Sequence, residues 1–156
     1  MRESIGGTML FWIVLFLFSI FIIFIAFIIK YARVYKIKNS MINYIERNEG
    51  IQSQVDFENK LKSYAYQEGG TYKLCRYFPN DVGGYYYLEL YSVSQFPIIG
   101  NIAAISVTIK GETKTIATGT KIKNTDNWFS SLGDECKFCI LSPGAGTGRC
   151  SSVDPE

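Results

Sequence analysis

MLFWIVLFLFSIFIIFIAFII is the sequence of residues 9–29, a run of 21 residues without a charge in which Ser19 is the only polar residue. The hydrocarbon core of a bilayer is about 30 Å thick, and about 20 apolar residues in a helix span it. The run is apolar on every face, which is typical of a membrane span. The sequence therefore predicts one transmembrane helix over residues 9–29, preceded by a short leader at residues 1–8.

A cleaved secretory signal is the main alternative for this run. Signal peptides have an apolar region of about 7–15 residues, followed by small residues at the cleavage site. The run here is longer and ends in Ile28-Ile29-Lys30-Tyr31, without an A-x-A pattern. These differences favour an anchor that stays attached to the chain.

Residues 30–50 continue the apolar run as an amphipathic helix, the stalk. No Gly or Pro interrupts residues 8–49, and Gly50 is well placed to end the helix. We therefore expect one continuous helix; the alternative is two helices with a break between them. Apolar side chains recur along the stalk at spacings of three and four, and this stripe is the predicted assembly face. Its members are Tyr31, Val34, Ile37, Met41 and Ile45.

Residues 51–156 form the head, in which strand-forming residues become frequent after a short helical start. Residues 51–62 predict a short helix with Ser53 as its N-cap. Aromatic and aliphatic residues then dominate residues 71–78 and 85–93, as is typical of strands. We expect a small, mostly antiparallel sheet of three to five strands, whose apolar face needs a cover.

A β-hairpin is predicted in the middle of the head. Residues 105–110 alternate between apolar and polar side chains, which is the pattern of a strand with one buried face. Gly111-Glu112 predicts a turn, and residues 113–118 a returning strand. The apolar stripe of the stalk matches the apolar face of the sheet, so we expect the two to pack together. The expected fold class is α+β, with a long N-terminal helix on a small antiparallel sheet.

The ionisable residues exclude several functions. The chain has no His, which removes the commonest general base and the commonest zinc ligand. The head carries ten basic and eleven acidic side chains, without the basic stripe that nucleic-acid binding requires. We therefore expect no catalytic residues, no cofactor, no metal and no nucleic-acid partner; the predicted protein is not an enzyme.

Four cysteines, Cys75, Cys136, Cys139 and Cys150, all lie beyond the apolar run. An even number in a small head favours disulfides if that side of the membrane is oxidising. A bridge from Cys75 to the C-terminal region would close the longest loop. We favour Cys75 paired with Cys136 or Cys139, and the remaining cysteine paired with Cys150.

Three more specific functions for the same region are less well supported by the sequence. Cys136 and Cys139 have the C-x-x-C spacing of redox enzymes, but no βαβ pattern surrounds them. A Cys₄ zinc site normally has two such pairs, and the chain has one. Residues 144–149 (GAGTGR) lack the strand, the helix and the Gly-Lys-Ser/Thr of a phosphate loop. We predict a flexible loop over residues 142–148 and a loose tail over residues 151–156.

The charges beside the apolar run and the cysteines predict opposite orientations. Lys30, Arg33, Lys36 and Lys38 follow the run directly, and the positive-inside rule would keep such residues in the cytoplasm. Disulfides instead require the head to lie outside.

In layout the chain resembles type IV pilins and pseudopilins, with a short leader, an apolar N-terminal helix, its amphipathic continuation and a β-rich, disulfide-bearing head. More narrowly it resembles the TadE-like pilin-related proteins of Gram-positive bacteria, in FPIIGN (residues 96–101) and KGETK (residues 110–114). The resemblance implies a cytoplasmic N-terminus and an extracytoplasmic head, because pilins place basic residues after the span outside.

The resemblance also implies a function by assembly. It predicts a single-pass subunit of a type IV pilus-like or Tad-like surface or secretion apparatus, with the lipid bilayer, other pilin-like subunits or assembly machinery as partners. Pilins carry a Glu five residues after the Gly at their cleavage point, whereas Phe11 and Trp12 follow Gly6-Gly7 at that spacing. This departure indicates a minor or accessory subunit. The alternative is a membrane-anchored extracytoplasmic binding or adhesion module.

Overall fold

The fold is seen in a computed structural model, which describes residues 2–51, 53–66, 69–80, 83–95, 104–116, 128–129, 134–144 and 146–153. It confirms the α+β class. The chain divides into two units, Met1–Arg33 and Val34–Glu156. The elements are α1 (Arg2–Arg47), α2 (Gln54–Ser63), β1 (Thr71–Asn80), β2 (Gly83–Gln95), β3 (Ala104–Glu112), β4 (Glu135–Ile140) and β5 (Arg149–Val153).

The first unit is the apolar part of α1. Among the described residues, this helix is the one long and apolar enough to cross a membrane, judged by length and composition. Large side chains such as Trp12 and Phe16 are about two-thirds exposed (70% and 67%), and exposing apolar surface to water costs about 25 cal/mol per Å². Membrane anchors and signal sequences share this length and composition. The helix begins at Arg2 and so includes residues 2–8.

The C-terminal end of α1 is a left-handed turn. Glu49 has a φ of 51°, and the N–H of Gly50 donates to the carbonyl oxygen of Ile45 at 3.0 Å. Such a turn satisfies carbonyl groups that the helix itself leaves without donors. The expected stop beside Gly50 is therefore confirmed. At the next helix, the side chain of Ser53 accepts from the N–H of Asp56 at 3.1 Å, which confirms Ser53 as the N-cap of α2.

The second unit contains a five-stranded sheet in the order β3-β2-β1-β4-β5, with antiparallel pairing throughout. The first three strands match the regions predicted from composition. β4 and β5 were not predicted. The prediction of a loose tail over residues 151–156 is wrong for Ser151–Val153, which belong to β5 and pair with β4. Residues 154–156, and the FPIIGN stretch at 96–101, lie outside the described residues.

The predicted hairpin at Gly111 is wrong, because β3 continues through Glu112 and pairs with β2. Gly111 instead allows α1 to approach the sheet: a Cβ at this position would lie 2.5 Å from Ile42 Cδ1 and 2.6 Å from Lys38 Cδ. After β3 the chain stays beside β2, and Ile116 forms an isolated bridge with Gly84. Residues 117 and 118 of the expected return strand lie outside the described part.

The core lies between the helices and one face of the sheet, here called the inner face. On the stalk, Met41 and Ile45 are completely buried, and the carboxylate of Glu46 accepts from the N–H of Lys114 at 2.9 Å. On α2, the ring of Phe57 lies 5.5 Å from that of Tyr72 on β1. The predicted packing of sheet on helix is thereby confirmed. The buried inner-face side chains of β1 to β3 include Tyr72, Leu74, Tyr86, Leu88, Leu90, Val107 and Ile109.

A buried carboxylate joins α2 to the C-terminal region. Glu58 is 1% exposed; its Oε1 accepts from Gln54 Nε2 at 2.7 Å and from the Tyr72 hydroxyl at 2.9 Å. Its Oε2 accepts from the N–H of Gly148 at 2.7 Å. The end of the loop predicted as flexible is thus bonded to α2 at Gly148, two residues before Cys150.

Replacing Glu58 with Ala is expected to lower the free energy of unfolding by about 2–3 kcal/mol, because the buried Tyr72 hydroxyl and the part-buried N–H of Gly148 lose their acceptor. Asn59→Ala on the exposed side of the same helix is the matched control and should change it by less than about 0.5 kcal/mol. Urea unfolding of the full chain in nanodiscs measures both. Equal effects of the two substitutions would contradict the role assigned to Glu58.

Candidate functional site

The most distinctive surface of the head is the outer face of the sheet, opposite the helices. Side chains alternate between the two faces of a strand, so the residues between the buried members of β1, β2 and β3 point outward. Seven of them line a cavity of about 310 Å³, which we call the tyrosine slot. They are Lys73 and Tyr77 of β1, Tyr85, Tyr87 and Glu89 of β2, and Lys110 and Glu112 of β3.

Strand register brings the members of the tyrosine slot together. Lys73, Glu89 and Lys110 face one another across three strands. Tyr77 is opposite Tyr85, and their rings stack with centroids 5.1 Å apart and planes 25° apart. The slot therefore combines an aromatic wall with a row of alternating charges.

Glu89 is the electrostatic centre of the tyrosine slot. It is 5% exposed; Lys110 Nζ lies 2.9 Å from its Oε1, and the Tyr87 hydroxyl donates to the same oxygen at 2.6 Å. The Tyr91 hydroxyl donates to its Oε2. Burial alone would raise the pKa of Glu89, but the hydrogen bonds from the two tyrosines and Lys110 outweigh it and lower the pKa to about 2.

The pKa values of the groups that bond to Glu89 are raised. Burial, together with the hydrogen bond to Glu89, raises the pKa of Tyr87 to about 12 and that of Tyr91 to about 12. The hydrogen bond to Glu89 raises the pKa of Lys110 as well. None of these four groups titrates near neutral pH, so the cluster holds a fixed set of charges and donors over the physiological range.

This cluster should contribute to stability in a pH-dependent way. The pKa of Glu89 is lower in the folded chain, about 2 against 4.5, so the ionised carboxylate stabilises the fold above about pH 4.5 and loses that effect as the pH falls towards 2. Glu89→Gln is expected to cost about 1–2 kcal/mol at pH 7, after allowance for solvent screening on this open face.

Urea unfolding between pH 2 and 7 measures this contribution. The difference between the wild type and Glu89→Gln should close as the pH falls through this range. Glu112→Gln, on the exposed end of β3, provides a control with the same chemical change. A Glu89→Gln difference that stays constant with pH would contradict the assigned pKa.

The four cysteines form two disulfides, as predicted: Cys75–Cys136 and Cys139–Cys150. This is one of the two arrangements that the sequence favoured. Each bond joins neighbouring strands, β1 to β4 and β4 to β5. The C-x-x-C pair is not a dithiol, because its two members point to opposite faces of β4 and bond to different partners. Within the described residues, no group of three or more His, Cys, Asp or Glu could hold a metal ion.

The predicted assembly face is divided by the structure. Four members of this stripe are at most 6% exposed, because the stalk packs on the sheet: Val34, Ile37, Met41 and Ile45. Tyr31 is 46% exposed. Four of the five side chains are therefore occupied by contacts within the chain itself.

Sequence reasoning missed the tyrosine slot, although its signal is visible in β2. Tyr85, Tyr87, Glu89 and Tyr91 recur at every second position, which places all four on one face of a strand. The aromatic run predicted the strand but hid the alternation, because Tyr86, Leu88 and Leu90 are large and apolar as well.

The architecture is pilin-like in outline: a long apolar N-terminal helix whose C-terminal part packs on an antiparallel sheet. Comparison with known proteins adds no family to this outline, since no protein-family model, no curated protein and no solved structure matches the chain.

Proposed function

We propose that the chain is a non-enzymatic, pilin-like subunit of a type IV pilus-like or Tad-like surface or secretion apparatus, and that it acts by helix packing. The observation that carries the proposal is α1 itself. A single helix, Arg2–Arg47, is apolar and exposed over its first part and forms part of the head's core over its last part. Such a helix can hold a folded head at a membrane and offer its apolar part to neighbouring helices.

In the proposed arrangement, residues 9–29 span the bilayer, the N-terminus is cytoplasmic and the head is extracytoplasmic. Two disulfides in the head support this orientation, since such bonds persist in oxidising compartments and are rare in the cytosol. Lys30 and Arg33 then follow the span on the outer side, against the positive-inside tendency. We give the disulfides more weight, because the charge rule describes a bias in loops rather than a covalent requirement.

Assembly would use the apolar segment of α1 rather than its stalk stripe. In lipid, helices associate by close packing and by hydrogen bonds, since lipid tails are as apolar as the side chains. Phe11, Phe16, Phe18 and Phe21 are all at least 60% exposed and are available for such packing. Partners are therefore other single-helix subunits or components of an assembly machinery.

Electron microscopy tests this function directly. Surface filaments or envelope complexes should be labelled by antibodies raised against the head, and deletion of the gene should reduce their number or length. Label confined to an otherwise uniform membrane, together with unchanged filaments in the deletion strain, would contradict the proposal.

A second function is favoured by one observation. The sheet covers most of the predicted assembly stripe and leaves the tyrosine slot open, as expected of a membrane-anchored binding or adhesion module. Exchanging residues 9–29 for an unrelated transmembrane helix separates the two functions. Activity that survives the exchange indicates a tethered binding module, whereas activity that is lost indicates assembly through the helix.

A further inference from the structure

We propose that the tyrosine slot binds a short segment of a neutral glycan. This inference goes beyond assembly and concerns the head alone, so it holds for a filament subunit and for an anchored module alike. The ligand class follows from three properties of the slot: its size, its balance of charge, and the polar groups that remain available on its walls.

The size of the tyrosine slot fits a small ligand. Its volume of about 310 Å³ lies at the lower end of the roughly 300–1,000 Å³ that is typical of ligand pockets. One wall is the stacked pair Tyr77 and Tyr85, and Tyr87 lines the slot beside it. Flat aromatic rings offer apolar faces to the C–H groups of a sugar ring.

The balance of charge in the tyrosine slot argues against an ionic ligand. Two lysines, Lys73 and Lys110, and two glutamates, Glu89 and Glu112, line it. An anion would meet both carboxylates and a cation would meet both ammonium groups, so neither sign is favoured. A neutral ligand avoids this repulsion.

The uncommitted groups are suited to hydroxyls. Glu89 is occupied by Lys110, Tyr87 and Tyr91, whereas Lys73 and Glu112 make no ion pair with any described residue. They lie on β1 and β3, separated by β2 and thus by roughly 10 Å of sheet. One provides donors and the other an acceptor. A polyhydroxylated chain lying over Tyr87 can bond to both.

The binding test uses the full chain in nanodiscs, which contain no sugar-based detergent. Isothermal titration calorimetry is performed with neutral hexasaccharides, namely cellohexaose, maltohexaose, mannohexaose and chitohexaose. Hexagalacturonate and the hexamer of glucosamine serve as the anionic and cationic comparisons, and a neutral Gly/Ser/Asn hexapeptide as the comparison with protein ligands. We expect at least one neutral hexasaccharide to bind more tightly than all three comparisons.

Variants of the tyrosine slot then locate the binding. Tyr85→Ala should weaken it about fivefold to tenfold by removing an exposed ring, and Tyr85→Phe should retain most of it. Lys73→Ala should weaken it several-fold. Tyr64→Ala and Lys114→Ala, which remove the same side-chain types outside the slot, should leave it within about twofold.

Three results would overturn the inference. They are the absence of binding by any neutral hexasaccharide, tighter binding of a charged oligosaccharide or of the peptide, and binding that Tyr85→Ala and Lys73→Ala leave unchanged. Circular dichroism of each variant, with intact-mass analysis of its disulfides, verifies that the head remains folded.

Discussion

Replacing Met41 with Asp is expected to unfold the head. Met41 is 0% exposed in the core formed by the stalk and the sheet. Truncating a buried methionine to alanine already costs about 2–5 kcal/mol, and an unpaired buried carboxylate costs more. A small domain has about 5–15 kcal/mol of stability in total, so we expect this substitution to remove most of it.

Asn43→Asp is the matched control for Met41→Asp. It introduces the same side chain two residues along the helix, at an exposed position, and should change stability by less than about 0.5 kcal/mol. Near-ultraviolet circular dichroism and limited trypsinolysis of the full chain in nanodiscs report on the head. A Met41→Asp head that keeps its aromatic signal and its protease resistance would show that the stalk does not complete the core.

Loss of the Cys75–Cys136 disulfide is expected to have the second largest effect. The bond joins residues separated by 61 positions, and cross-linking a loop of that length removes about 4 kcal/mol of chain entropy from the unfolded state. Cys139–Cys150 joins residues separated by only 11 positions, for which the same relation gives about 3 kcal/mol. The double substitution Cys75→Ser with Cys136→Ser should therefore be the more destabilising.

Urea unfolding of the two double-serine variants tests the order of these effects. Each pair removes one bond and leaves the other, and the two serines leave no free thiol that could exchange with the remaining disulfide. Equal midpoints for the two variants, or a lower midpoint for Cys139→Ser with Cys150→Ser, would contradict the assigned pairing. Mass analysis after alkylation, with and without reductant, reports the number of bonds in each variant.

The regular features of the fold were predictable because they depend on local patterns. The apolar run identified α1, the spacing of three and four identified the stripe buried by the sheet, and Ser53 identified the start of α2. Each of these signals lies within a single helix. They require no knowledge of which segments meet.

The features that were missed depend on pairing between distant segments. Cys136 and Cys139 could not be distinguished as partners of Cys75, because the choice depends on register: Cys136 lies directly opposite Cys75, whereas Cys139 lies opposite Tyr72. A strand register that differs by one residue would move every side chain of the strand to the other face of the sheet. The sequence predicts a turn at Gly111 because it does not show that this glycine meets Ile42, which is distant in the chain.

The candidate site was the least predictable part of the molecule. Its residues come from three strands, and only their register places Lys73, Glu89 and Lys110 in one row. Composition described the head as nearly neutral without showing that its charges and tyrosines gather on one face. The local alternation of Tyr85, Tyr87 and Glu89 could have identified the face, but not the cavity.

Site-specific photo-crosslinking in living cells tests helix-mediated assembly most directly. Benzoylphenylalanine is placed in turn at Phe11, Phe16, Phe18 and Phe21, which are exposed on α1 and together sample several faces of the helix. The proposed function predicts light-dependent adducts with a discrete membrane protein, at some of these positions and not at others; Phe11 and Phe18, seven residues apart on one face, should behave alike. The absence of a protein adduct at all four positions, in cells where the head is folded, would contradict assembly through this helix.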